Sequence, residues 1–162
     1  MKKIWAPWRI QYILQADKEK GCILCDKPNE KDDRLNYILR RGNYNFIILN
    51  AYPYTPGHLM VAPYRHINNL TDINDEESKE HTNLIKLCIR LLKAEMRPDG
   101  FNIGMNLGKV AGAGIEGHIH THIVPRWNGD HNFMSVIADT RVLSQALIET
   151  YDKLEARLKQ IN

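Results

Sequence analysis

The sequence predicts an α+β fold, an antiparallel sheet packed against one long helix and a C-terminal helix. Three observations carry this. The apolar runs "NFIILN" (45–50) and "HLMVAP" (58–63) have strand length, and the turn-rich "AYPYTPG" joins them as a hairpin. Leu84, Leu87, Cys88, Leu91 and Leu92 recur at helical spacing, and so do Leu143, Leu147, Tyr151, Leu154 and Leu158. The order along the chain is strand–loop–strand, helix, strand–loop–strand, helix. A chain of 162 residues fits one domain and can bury a real core.

The elements follow in order. "MKKIWAPWRIQYIL" begins with two lysines, but Trp5, Pro7, Trp8 and Arg9 interrupt any apolar stretch, so it reads as mature protein rather than a signal peptide. Trp5, Trp8 and Arg9 fit either an aromatic–cationic patch over an adenine or an anchor in the core or a dimer interface. "KPNEKDDR" (27–34) reads as a surface loop. Residues 1–30 form an N-terminal arm and 31–162 the body of the single domain 1–162. The long helix is capped by Thr71, Asp72 or Asn74, with acids following, and ends at Pro98-Asp99-Gly100. "FNIGMNLG" (101–108) is a third strand, "KVAGAG" a loop, "HIHTHIVP" a fourth strand, and the second leucine stripe closes the chain. Cys88 belongs to the core. His81 and His131 receive no role. Lys109 is either solvated or placed to meet a polyphosphate.

Composition narrows the function. A net charge of +3 is too small to argue for nucleic acid, and a modest positive balance suits an anionic small molecule. No apolar run has the length of a membrane span. Three cysteines, two of them spaced C-x-x-C, are not a secreted disulfide framework, and a cytoplasmic protein is expected.

The chemistry concentrates in "GHIHTHIVPRW" (117–127). His118, His120 and His122 alternate, so on a strand their rings share one face. Packing explains them poorly, because each ring carries two nitrogens that need partners. One metal ion cannot easily hold all three, since three same-face positions span roughly 13 Å, although two of them could share an ion. The third reading is nucleophilic catalysis, in which an imidazole attacks phosphorus to form a phosphoramidate. The preceding "GKVAGAGIEG", with Gly112 and Gly114, lets backbone N–H groups approach an anion closely.

H-x-H-x-H followed by two apolar residues resembles the signature of the histidine triad (HIT) superfamily. "LNAYPYTPGHLMVAPYRHINNLTDI" (49–73) resembles that family's first hairpin. "WAPWR" and "PRWNGDHNFM" (125–134) are similar to the bacterial diadenosine tetraphosphate phosphorylase-like branch. The resemblance covers nearly the whole chain. It implies a HIT-like fold and a homodimer. It implies an enzyme that cleaves a dinucleoside polyphosphate at the α-phosphate through a nucleotidyl-histidine intermediate, resolved by inorganic phosphate or water. His120 is then the nucleophile, flanked by His118 and His122, with His122 either contacting phosphate oxygens or holding the nucleophile's geometry. Asn50, His58, Asn106, Gly112 and Gly114 are the implied substrate contacts. Many members carry Ser or Thr shortly before the triad, and this chain has no hydroxyl between Gly112 and His118. A nucleoside phosphoramidase or monophosphate hydrolase, and a nucleotide-binding module without chemistry, are the alternatives.

Cys22 and Cys25 fit a redox pair, half of a zinc site or two buried apolar residues. Zinc-containing relatives in the superfamily complete such a site with two histidines. The resemblance therefore implies structural zinc held by Cys22, Cys25, His66 and His118.

Overall fold

Both hairpin strands are buried along their whole length, because each face of the sheet is covered. The computed structural model describes residues 21–130 and 146–161. The expectations placed on Trp5, Trp8, Arg9, His131 and Leu143 lie outside them. Strand β1 (Ile38–Arg41), β2 (Asn45–Leu49), β3 (Leu59–Pro63), β4 (Gly100–Met105) and β5 (Thr121–Arg126) form one antiparallel sheet in the order β1-β2-β3-β5-β4. Helix α1 (Ile23–Asn29) precedes them, α2 (Asp75–Met96) follows β3, and α3 (Leu147–Ile161) closes the chain. The α+β architecture and its antiparallel sheet are as the sequence predicts.

Registry sets the two faces. Ile47 pairs with Val61 and Leu49 with Leu59, and these side chains meet Leu84, Leu87, Cys88 and Leu91 of α2 and Tyr151, Leu154 and Leu158 of α3. Phe46 pairs with Ala62 and Ile48 with Met60, and these point to the opposite face, where Leu24 of α1 packs on them. Odd positions of β5 follow the first set, so Ile123 lies in the main core. Even positions follow the second set, which sends His122, paired with Met60, to the α1 face. Main-core burial of this kind contributes roughly 25 cal/mol per Å² of apolar surface removed from water.

Polar groups fix the ends. Asn74 caps α2 through a capping box with Glu77, and Arg65 binds the Glu77 carboxylate on two oxygens at 2.6 and 2.7 Å. Thr71 and Asp72 instead lie in a short 3₁₀ turn, Leu70–Asp72, capped by Asn69. The Glu80 carboxylate accepts the N–H groups of Asn43, Tyr44 and Asn45 and so ties the β1–β2 turn to α2. His81, for which the sequence suggested nothing, is buried between Asn45 Oδ1 at 2.8 Å and Thr121 Oγ1 at 2.7 Å. It joins α2 to β2 and β5. Burial lowers its pKa to about 4, so it is neutral at pH 7.

Four features differ from expectation. The sheet has a fifth strand, β1, whose pattern is too short to register as a period: two buried residues, then two exposed arginines. Residues 27–29, read as loop, finish α1, with Pro28 inside it and Arg41 donating to the Pro28 carbonyl at 2.7 Å. The histidine strand begins at Thr121 and not at His118. Upstream of it the Pro63 carbonyl is taken by the His118 ring and Ile119 N–H donates to Ile67. The third strand likewise ends at Met105, short of the expected 108.

Candidate active site

The β2–β3 hairpin, the loop before β5 and helix α1 enclose a cleft of about 620 Å³ on the α1 face. Ile23, Ile48 and Met60 supply apolar wall, and Asn50, His120 and His122 supply polar atoms. Gly112 and Gly114 line the same cleft from the Gly-rich loop. The turn that delivers His58 needs Gly57, whose φ of +79° is in the left-handed region and whose Cβ position is filled by Met96.

Hydrogen bonds assign a proton to each ring. Tyr54 N–H donates to His58 Nδ1 at 3.1 Å, so the His58 proton is on Nε2. His58 Nε2–H then donates to His122 Nδ1 at 2.9 Å, which puts the proton of neutral His122 on Nε2. His120 Nδ1–H donates to the His118 carbonyl at 2.9 Å, leaving a lone pair on its Nε2. No described residue hydrogen-bonds that atom. The His120 and His122 rings meet edge to face, with centroids 4.7 Å apart. Burial lowers the pKa of His120, so its neutral form extends to lower pH than an ordinary imidazole's. A neutral imidazole with a fixed Nδ1–H and an open Nε2 is the form that attacks phosphorus.

The other expected contacts divide. Asn50 stands at the end of β2, its side-chain amide 3.3 Å from His58 Nδ1 and its Oδ1 accepting from Tyr52 N–H at 2.9 Å. Asn106 lies outside the main cleft. Its amide donates to the Gly112 carbonyl at 3.2 Å, and it borders an adjoining groove shared with His122. The sequence pointed to no cleft role for Tyr54 or α1. The Tyr54 ring lies tilted against His58 at 4.7 Å and reaches His122 at 6.1 Å between ring centroids. Its only sequence signal is a place four residues before the histidine of the Pro-Gly-His turn.

His118 turns away from its two neighbours. Its Nε2–H donates to the Pro63 carbonyl at 2.8 Å, and its Nδ1 lies 3.4 Å from both Cys22 Sγ and Cys25 Sγ. His66 Nδ1 lies 3.2 Å from Cys25 Sγ. The four ligand atoms are all within 4.8 Å of one another. A tetrahedral zinc with ordinary Zn–S and Zn–N bonds separates sulfur from nitrogen by roughly 3.5 Å, so the donor set fits that ion. Gly117 makes room for the His66 ring, because a Cβ there would come 3.1 Å from His66 Nε2. Burial and the adjacent Cys22 push the Cys25 thiol up to about 11, a cost that a bound cation reverses by holding both sulfurs as thiolates. All four residues can hold a metal; His120 and His122 are not among them.

The HIT domain profile matches residues 36–129. An AP-4-A phosphorylase from Mycobacterium tuberculosis is 38% identical over 157 residues, covering 93% of this chain and 80% of that protein. A bis(5'-adenosyl)-triphosphatase from Saccharomyces cerevisiae is 31% identical over 91 residues, 56% of this chain and 44% of that protein. Among solved structures, a zinc-bound histidine triad family protein from Mycobacterium smegmatis superposes with a TM-score of 0.63 at 25% identity, covering 93% of this chain and 94% of that one.

Proposed function

The chain belongs to the HIT domain family, and from that premise we propose that it is an enzyme cleaving dinucleoside polyphosphates at the α-phosphate through His120. The observation that carries the reading is the fixed tautomer of His120, buried beside a cleft with Nδ1–H held by the His118 carbonyl. The names of the two curated relatives support the substrate class.

The geometry of His120 supports the first step. His120 Nε2 attacks the α-phosphorus of diadenosine tetraphosphate, a P–N bond forms, and the bridging P–O bond breaks to release ATP. The ring gains positive charge, which the His118 carbonyl stabilises through Nδ1–H. His122, with its proton on Nε2 through the His58 relay, is the donor to the phosphate oxygens. Tyr54 holds that relay, and Asn50 orders the loop that carries it. The backbone of the loop containing Gly112 and Gly114 lies along the phosphates, with Asn106 bracing it. In the second step an oxygen nucleophile attacks the adenylyl-histidine, the P–N bond breaks and His120 returns to its neutral form.

Inorganic phosphate is the favoured second nucleophile, because the loop before β5 offers backbone N–H groups and no hydroxyl to manage a water. The 38% identical relative is named a phosphorylase, which supports the same choice. The experiment is product analysis of diadenosine tetraphosphate turnover with and without phosphate. ADP and ATP, formed faster as phosphate rises, are expected. AMP and ATP at a rate indifferent to phosphate make the enzyme a hydrolase, with His120 in the same role. The alternatives of a phosphoramidase and of a binding module without chemistry fail if either result is obtained.

Zinc on Cys22, Cys25, His66 and His118 belongs to this reading as a structural ion that draws α1 and β5 together, supported by the donor set and by the zinc-bound neighbour. So does a homodimer. The edge strand β4 leaves Ile103 exposed, and Leu107 just beyond it is exposed as well.

A further inference from the structure

We propose that the groove beyond His122, over β4 and the end of β5, receives the leaving nucleoside of a dinucleoside polyphosphate, so that the substrate lies across His122 with one nucleoside on each side. The inference rests on the reading above and gives a site to the half of the substrate that departs.

A dinucleoside polyphosphate carries two nucleosides joined through phosphates. An in-line displacement puts the leaving oxygen opposite the attacking nitrogen, so the leaving half extends away from His120 Nε2. A groove of about 440 Å³ adjoins the cleft, and His122 and Tyr54 line both. His122 therefore stands where the two meet, with its Nε2–H set by the contact with His58. Phosphates that run from cleft to groove run past that donor.

Register explains why the groove is open. Opposite residues of paired strands share a face. Gly104 lies opposite His122, and Asn102 lies opposite Val124. A Cβ at Gly104 would meet nothing within 4 Å, so the sheet is bare beside the His122 ring. Val124 and the Tyr54 ring supply apolar surface. Asn102 supplies a polar edge. Its Oδ1 accepts from Arg126 Nη1 at 2.7 Å, which leaves the Nδ2–H2 donors for an acceptor on the ligand. Arg126 also donates to both carboxylate oxygens of Asp130, which compensates its charge. Apolar walls with one oriented amide and no uncompensated cation among the described residues suit a nucleoside better than a bare phosphate. Inorganic phosphate, arriving in the second step, needs only the end beside His122. The groove thus serves formation of adenylyl-histidine from the dinucleotide and not its discharge.

The experiment uses the full chain and fills the groove. Gly104 lies outside the left-handed region, and its place in β4 suits a β-branched side chain, so Gly104→Val is the variant. Adenylyl transfer from diadenosine tetraphosphate to the chain and discharge of the adduct, by phosphate or by water, are timed separately. Gly104→Val should slow transfer by about tenfold, with discharge and AMP affinity unchanged. Asn102→Ala, at an exposed position, keeps the test available if valine prevents folding. It should raise KM for diadenosine tetraphosphate by about fivefold, the value of one neutral hydrogen bond, and leave AMP affinity unchanged. Native transfer in Gly104→Val, or native KM in Asn102→Ala, overturns the proposal and leaves the nucleotide reading intact. So does a Gly104→Val chain whose two steps slow equally, or whose oligomeric state changes in sedimentation, which assigns the groove to a second copy. A native chain that neither forms the adduct nor turns over the dinucleotide overturns both.

Discussion

His120 works through an atom that burial keeps unprotonated. An imidazole that must attack phosphorus loses activity when a proton occupies its lone pair. Its pKa is lowered by desolvation, so the attacking form persists below the ordinary imidazole range. The acid limb of a kcat/KM against pH profile should therefore fall below that range. A limb at or above it contradicts the assignment. The triad was legible in the sequence because alternation is a local signal, with two residues per repeat on a strand. The proton order was not. It depends on Tyr54 N–H, the His58 ring and the His118 carbonyl, and the His58–His122 pair is separated by 64 positions.

At the scale of elements, α2 does more than pack. His81 is neutral and buried between Asn45 and Thr121, one strand residue before His122. Its folded pKa of about 4 lies below the ordinary value of 6.5, so the folded state binds fewer protons than the unfolded state between those two values. The contribution is fully present above 6.5 and is lost as pH falls toward 4. Unfolding free energy measured from pH 7 to pH 4 should drop by about 3 kcal/mol more for the native chain than for His81→Gln. Equal slopes would mean that His81 is not buried neutral. The metal cluster belongs to the same scale, because it joins α1 to the segment before β5. Protein prepared without chelator should carry about one zinc per chain, and Cys22→Ser should lose it together with thermal stability. Metal analysis that finds no zinc in the native chain would rule the site out.

Periodicity made α2 and α3 readable, since Leu84–Leu92 and Leu147–Leu158 repeat over several turns. It could not reveal α1 or β1. Seven helical residues make fewer than two turns and four strand residues only two repeats, and their placement is decided by the Leu24 contacts and by pairing of Ile38 with Ile48. The C-x-x-C showed the chemistry of its site, while its partners His66 and His118, 41 and 93 positions beyond Cys25, came from the family resemblance and not from spacing.

The whole molecule divides its sheet into two faces. One buries the main core under α2 and α3, and the other presents His120, His122 and the metal cluster beneath α1. Registry between β3 and β5, with Met60 opposite His122 and Val61 opposite Thr121, keeps the chemistry and the core on opposite sides. A single-residue slip of β5 would send His122 into the main core. The account as a whole turns on one covalent bond. Rapid acid-free quenching of the enzyme with diadenosine tetraphosphate, in the absence of phosphate, followed by mass spectrometry of the intact chain and its peptides, measures that bond directly. The result expected is an adduct of one adenylyl group on the peptide containing His120, discharged by added phosphate and absent from His120→Ala. Turnover with no such adduct, undiminished in His120→Ala, would contradict it.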